Sequence, residues 1–463
     1  MLPFTNLCSE HASSIVLAAT LLYLAYSVRS WYRLRQFDGP WLARHSYLWL
    51  LRAVSNDKLH LTFPELHKKY GSIVRIGPND LVTNDADLLR HMSVYSVISD
   101  INTKSHDRFK SYMALGYSGK DVPSLEADIS AVIETFMKVI KRDHLSTDSD
   151  TKITDFSRLC TYFTIDSISK LGFGEPMGYL EHNADRYGYI EAVHKALPII
   201  SIVSVLPLAT TILNIPFIKN TFAPSRKDTT GIGRLLTLAD RTAERALADD
   251  PNKRHDMVSS WLRRGYPRDA RRLSADIVLQ LVAGGDSTAT VIKTTALYLI
   301  SNYRVLQKLR RELDEAEEAG RISTPVVTNK ESLQLPYLQA VVKEGLRIFV
   351  PGHGLLIKQV PPGGDTIGGK WVPGGTRIAH SQWSQQRDPI YGSDPDRFYP
   401  ERWLEADSPR RALMEKQLDT AFGLFRRYDF ELSDPVKPMV VLPHSVFIAK
   451  DMHVRITERE KQN

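Results

Sequence analysis

The sequence predicts one large, mainly α-helical domain with small β-sheets, set behind an apolar N-terminal segment. Three observations lead there. Apolar residues recur at helical spacing through Ile277, Val278, Leu281 and Val282, and again at Ile292, Leu297 and Ile300, which marks a long buried helix within residues 273–313. The 463 residues exceed the usual single-domain length, yet they contain no Gly/Ser-rich or Pro-rich linker and no internal repeat. Residues 12–28 carry no charge at all.

Composition narrows the function classes. Hydrophobic residues make up 43% and charged residues 24%, enough for a sizeable core. The net charge of +7 and the pI near 9.1 come from basic residues dispersed along the chain, which argues against a nucleic-acid binder. Such a surface suits anionic lipid or an acidic redox partner. The only cysteines are Cys8 and Cys160, which excludes a disulfide framework and fits a reducing compartment.

Residues 12–28 approach the lower limit of about 17 for a membrane-spanning helix, and Arg29, Trp31, Tyr32, Arg33 and Arg35 follow as an interfacial flank. A cleaved signal would carry its positive charge before the apolar run, so a retained anchor with a cytosolic body is expected. Residues 1–36 therefore form one region and 37–463 the domain. Phe37-Asp38-Gly39-Pro40-Trp41 marks the exit from the anchor, because proline blocks helix continuation and glycine permits a turn. Residues 63–71 read as a helix stopped by Gly71, and 73–78 as a strand entering a turn. Residues 155–174 have helical apolar spacing, and Cys160 within them is expected as a buried small hydrophobe rather than a ligand. Residues 198–224 are apolar and broken by prolines.

At the centre of the long helix stands Ala283-Gly284-Gly285-Asp286-Ser287-Thr288. Each glycine costs a helix about 1 kcal/mol relative to alanine. A pair of them predicts a kink or opened turn, followed at once by an acid and two hydroxyls suited to proton delivery. The simpler reading ends one helix at Gly284-Gly285 and caps the next with Asp286 or Ser287. Beyond it, 302–318 reads as a surface helix with Tyr303, Leu306, Leu309 and Leu313 on its inner face. Residues 341–349 carry Glu344 and Arg347 one helical turn apart. Ile367, 370–372 and 376–378 are hairpin strands separated by Gly-Gly and Pro-Gly-Gly.

Ala283 to Thr288, then Glu344-Gly345-Leu346-Arg347, then Phe398-Tyr399-Pro400-Glu401-Arg402-Trp403, resemble in that order the cytochrome P-450 monooxygenases, in particular fungal secondary-metabolite members of the pisatin-demethylase-like type. The resemblance implies the cytochrome P-450 fold, haem as cofactor, an NADPH-cytochrome reductase as electron donor, a lipophilic small-molecule substrate and residence at the endoplasmic reticulum membrane. It makes Ala283, Gly284 and Gly285 part of an oxygen-binding helix. Asp286, Ser287 and Thr288 become its catalytic residues, and Glu344, Arg347 and Arg402 a structural triad. His106 and Lys110, in a segment like the helix that reaches the haem propionates, together with Lys358 and Phe422, fall at cofactor-binding positions, although the first two read equally as the solvated face of an amphipathic helix. The apolar region 198–224 corresponds to a lid over the substrate channel, although the same composition would suit surface helices leaning on lipid.

Two departures from the pattern stand out. The run 91–105 is shorter than the family's loop there, which lines the substrate pocket. After Phe422-Gly423 the family's glycine-rich loop and ligating cysteine are missing, and Leu424 to Phe430 already resembles the end of the helix that follows them. No residue is therefore assigned as a metal ligand. The alternative to an enzyme is a catalytically dead, membrane-bound protein that keeps a pocket for a small molecule or partner.

Overall fold

The computed structural model describes residues 12–56, 58–85, 88, 103–213, 215–222, 224–352, 355–416, 428–443 and 447–458. The principal helices are α1 (Ala12–Arg33), α2 (Leu59–Tyr70), α3 (Thr103–Tyr117), α4 (Leu125–Val139), α5 (Phe156–Phe173), α6 (Tyr189–Val205), α7 (Gly231–Ala248), α8 (Ala270–Ile300), α9 (Tyr303–Glu318) and α10 (Pro336–Ile348). The strands are β1 (Ile73–Gly77), β2 (Asp80–Thr83), β3 (Ile153–Asp155), β4 (Leu356–Gln359), β5 (Asp365–Ile367), β6 (Lys370–Val372), β7 (Arg377–His380), β8 (Tyr428–Leu432), β9 (Val440–Pro443), β10 (Phe447–Lys450) and β11 (His453–Glu458). Helix dominates and the sheets are small, as the sequence predicts. The residues group into two compact units, each drawn from three stretches of chain.

The smaller unit comprises Met1–Thr103, Ser201–Thr210 and Gly354–Gln385. Its sheet has the order β1-β2-β7-β4, with β2 and β7 parallel and the other pairs antiparallel. β5 and β6 form a separate hairpin. One cluster packs Phe63 and Leu66 of α2 beneath Val74, Ile76, Val82 and Ala379, and a second gathers Leu34, Phe37, Leu81 and Ile378. Arg75 fastens the chain leaving α1 to this sheet. It is 1% exposed, and its guanidinium donates to the carbonyls of Ser30, Trp31, Arg44, Gly77 and Pro78 and to the Ser30 hydroxyl. At the exit from α1, a Cβ on Gly39 would sit 2.0 Å from the Arg75 carbonyl oxygen, so this turn admits only glycine.

Only the end of α1 is held this way. Val16, Leu17, Leu21, Leu22 and Leu24 are exposed along its length. No helix among the described residues is long and apolar enough to cross a membrane. The expected single-pass span at 12–28 is therefore not supported; its short apolar run passes into Arg29 and Arg33 within the same helix.

The larger unit comprises Lys104–Ile200, Thr211–His353 and Gln386–Asn463. α8 runs through it and packs on α5, α7 and α10, with Ile277, Leu281, Ala289, Ile292, Ala296 and Leu299 buried. The simpler reading, in which one helix ends at Gly284-Gly285 and another is capped after it, is overturned: α8 is one continuous helix from Ala270 to Ile300. The glycines serve close packing instead. A Cβ on Gly284 would lie 2.9 Å from Ile168 Cγ1, and one on Gly285 3.3 Å from Ile165 Cγ1, so the missing side chain at 284, and to a lesser degree that at 285, lets α5 lie this close to α8.

α9 buries Leu306, Leu309 and Leu313 as expected, whereas Tyr303 is 72% exposed, because it lies in the first turn before the buried stripe begins. Cys160 is fully buried in α5. Residues 428–430, expected at the end of a helix, instead begin β8, whose partner is β11 in the order β3-β11-β8. Alternating Tyr-Asp-Phe-Glu-Leu is a period-two pattern, and pairing along β11 satisfies its backbone. The apolar region after Pro198 forms the end of α6 and two short helices, Pro207–Leu213 and Pro216–Phe222.

Candidate functional site

Glu344 and Arg347 stand three residues apart on α10, both at 0% exposure. Arg347 donates Nε to Oε2 at 2.9 Å and Nη2 to Oε1 at 2.8 Å, a bidentate pair. Arg402 reaches the same carboxylate through Nε at 3.0 and 3.1 Å. Trp403 Nε1 donates to Oε2 at 3.0 Å and the Tyr399 backbone N–H to Oε1 at 2.9 Å. The remaining guanidinium nitrogens are not left bare. Arg347 donates to the carbonyls of Gln386, Pro395 and Arg397, and Arg402 to those of Tyr391, Asp394 and Arg397. One helix thus stitches the loop 386–403 by charge and backbone together. The closing feature is Gly345, where a Cβ would meet Thr295 Oγ1 of α8 at 2.1 Å. That glycine lets α10 lie directly on α8.

On α8 the expected site residues divide between two faces. Leu279, Ala283 and Ser287 recur every four residues along one stripe; Leu279 is 40% exposed, Ala283 is exposed and Ser287 half-buried, on a helix whose other faces pack into the core. Ser287 Oγ donates to the Ala283 carbonyl at 2.5 Å. Thr288 is also half-buried. Asp286 points elsewhere and is buried, with Oδ1 3.7 Å from His194 Nε2 of α6. Neither atom has a hydrogen-bond partner among the described residues. Tyr189, one turn before His194, has its phenol pushed well up, first by burial and then by the Asp286 and Asp185 carboxylates. The carboxylate and the Ser287 hydroxyl are therefore presented to different surroundings, the first to an imidazole and the second to the open stripe.

The other expected positions are scattered. Lys110 is exposed on α3, and Lys358 is half-buried on β4. His106 falls within α3, its side chain outside what the structure describes. Phe422, the junction between 423 and 424, residues 91–102 of the shortened run 91–105, and Cys8 lie outside the described residues.

His194 and Lys293 are the residues that sequence reasoning missed. His194 gave no signal, being one polar residue in an unremarkable helix. Lys293 did give one: it is the only charge in the α8 run from Ala289 to Ile300, and a lone charge among apolar neighbours is worth following.

Comparison with known proteins follows the same outline. A cytochrome P-450 family model matches residues 89–416. The chain is 35% identical to cytochrome P-450 monooxygenase ABA1 of Pyricularia oryzae, over 97% of this chain and 98% of that one. It is 31% identical to aba1 of Botryotinia fuckeliana over 92% of each, and 29% identical to abl1 of Leptosphaeria maculans over 97% of this chain and 88% of that one. The Pyricularia alignment runs over 502 positions, more than the 463 residues of this chain, so that relative has segments with no counterpart here.

Proposed function

The chain belongs to the cytochrome P-450 family of haem-dependent monooxygenases, and from that premise we propose that it is a fungal secondary-metabolite member, built to oxidise a lipophilic small molecule, that lacks the loop supplying its axial thiolate. Haem is the cofactor of the family, and the Glu344–Arg347–Arg402 lattice and the open stripe of α8 support part of this chain as fitted to it. The donor set does not fit. A haem of this class needs a thiolate on iron, which pushes electron density onto it for oxygen–oxygen cleavage. Cys160 is fully buried within α5, where burial pushes its thiol far above the ordinary range, so it stays protonated. The only other cysteine is Cys8, in the N-terminal segment.

The observation that carries this reading is the cysteine count itself. The longer alignment with the Pyricularia relative and the end of the family match at residue 416, before Phe422-Gly423, support it. The deciding experiment is the carbon monoxide difference spectrum, taken on the chain as it stands and on a version with a glycine-rich, cysteine-containing loop inserted between Gly423 and Leu424. A thiolate-type band only in the second supports the proposal, and such a band in the first refutes it.

We further propose that an NADPH-cytochrome reductase is the electron donor and that α1 rests on the endoplasmic reticulum membrane with the domain in the cytosol. The exposed leucines of α1, beside the cations that follow them, support the lipid contact. Removal of residues 1–36 is expected to release the protein from microsomal membranes on fractionation.

A further inference from the structure

A cavity of about 450 Å³ lies wholly within the larger unit, walled by α5, α6, α8 and the residues that end β10. It is on the Asp286 side of α8: Lys293, seven residues and about two turns further on, faces it from the same side of the helix. The cavity is rich in charge, and nearly every charge on its wall already has a local partner. Arg158 lies 3.7 Å from Asp155, Lys195 2.7 Å from Glu191, and Lys450 3.8 Å from Asp451. Asp185 accepts from the backbone N–H groups of Tyr189 and Glu191.

Lys293 is the exception. It is 1% exposed, and its Nζ donates to Thr161 Oγ1 at 2.7 Å and to the Ala449 carbonyl at 3.0 Å, both neutral acceptors. Among the described residues no carboxylate comes within ion-pair distance of it: burial pulls its ammonium down, and Asp286, Cys160 and Asp155 act the other way only from further off. In its charged form the lysine has three N–H donors, so one remains after these two bonds, and an anion bound beside it would favour that form. Burying a charge without a counter-ion is costly, and a ligand that supplied the counter-charge would recover that cost. The same wall carries His194, whose Nε2 is also without a hydrogen-bond partner among the described residues.

We propose that this cavity is a binding site for a small carboxylate, with Lys293 donating its third N–H to the anion, and that it is separate from the open stripe of α8. Thr161 and the Ala449 carbonyl hold the ammonium in place, so they fix where the carboxylate must lie. The volume admits a ligand the size of an aromatic acid, in the range of ordinary small-molecule sites. The ligand would bridge α8, α5 and the β10 end, and binding should therefore stabilise the fold without any haem being loaded.

The probe is sodium benzoate, added to the full-length chain at constant ionic strength made up with chloride, with benzamide as the uncharged control. Benzoate is expected to raise the melting temperature saturably, because a ligand at ten times its Kd multiplies the folded-to-unfolded ratio about eleven-fold. Benzamide should not do so, and Lys293→Met should abolish the response. A second readout needs only the unaltered chain: reductive methylation with formaldehyde and borohydride, mapped by mass spectrometry. Benzoate is expected to protect Lys293 several-fold while leaving Lys195 and Lys450 unprotected. An equal melting response in Lys293→Met would overturn the proposal. So would a failure of Lys293 to be methylated at all, or methylation of it indifferent to benzoate.

Discussion

Glu344 shows what decides the worth of a charge in this protein. A glutamate and an arginine one turn apart on a helix are ordinarily a surface pair contributing under about 1 kcal/mol. Here the carboxylate is at 0% exposure and accepts from three guanidinium N–H groups, two of Arg347 and the Nε–H of Arg402 shared between both oxygens, and from Trp403 Nε1 and the Tyr399 backbone N–H. Removal of one partner leaves an uncompensated buried charge, which costs about 3–5 kcal/mol. Arg347→Ala and Arg402→Ala are each expected to lower stability by that amount in urea unfolding, and unchanged midpoints would contradict it. Arg75 is a different case, a buried cation whose partners are carbonyls rather than acids. Burial pulls its guanidinium down to about 10. Arg75→Leu leaves several buried acceptors unpaired at about 1–3 kcal/mol each, so it should cost at least about 3 kcal/mol. Early proteolysis within residues 27–46 of this variant would show that the lost bonds are those holding the end of α1.

At the scale of the element, the glycines of α8 and α10 set how closely helices approach. An alanine at position 284 gains about 1 kcal/mol of helix propensity, but its Cβ meets Ile168 Cγ1 at 2.9 Å. Overpacking of this kind costs about 1–3 kcal/mol. Gly284→Ala is expected to be neutral to destabilising by about 2 kcal/mol, and Gly285→Ala, with its nearest contact at 3.3 Å, to be milder. Gly345→Ala should be the worst of the three, because the Thr295 side chain blocks it at 2.1 Å. Thermal unfolding of the three variants gives the order. Trimming Ile168 to valine beside Gly284→Ala should recover part of the loss, and no such coupling would mean that the α5–α8 approach is not what the glycine serves.

For the molecule as a whole, pH supplies a test independent of haem. His380 is fully buried in the smaller unit, with neither ring nitrogen hydrogen-bonded among the described residues. Burial first, and the neighbouring His67 second, hold its imidazole down to about 4 against an ordinary 6.5. The folded value is the lower one, so as pH falls the unfolded chain takes up the proton first. The stability from this residue is complete above about pH 6.5 and is lost as pH falls toward about 4. The loss amounts to about 3 kcal/mol. Burial pulls His67 in the same direction. Denaturant unfolding at pH 7 and pH 4.5 should show His380→Leu losing less stability over that interval than the unaltered chain, and parallel losses would refute the assignment.

The sequence by itself determined the helical class, the position of α8, the grouping of Glu344, Arg347 and Arg402, and the absence of a cysteine after Phe422. Each of these is written in spacing or in residue identity: a 3.6-residue apolar period, motifs in order, and a count of two cysteines. Only the tertiary structure decided what Gly284-Gly285 are for, since a pair of glycines reads locally as a kink, and the presence of Ile165 and Ile168 opposite them depends on a contact with a helix more than a hundred residues earlier. It also decided that residues 428–430 belong to a strand, because β11, supplied by the end of the chain, is the partner that satisfies their backbone. Asp286 was legible as an acid on a central helix, but not its separation from Ser287 or its facing of His194. Which side of a buried helix meets an imidazole and which meets an open stripe is set by where the fold brings His194 of α6 to Asp286, and a long-range contact of that kind leaves no period in the sequence.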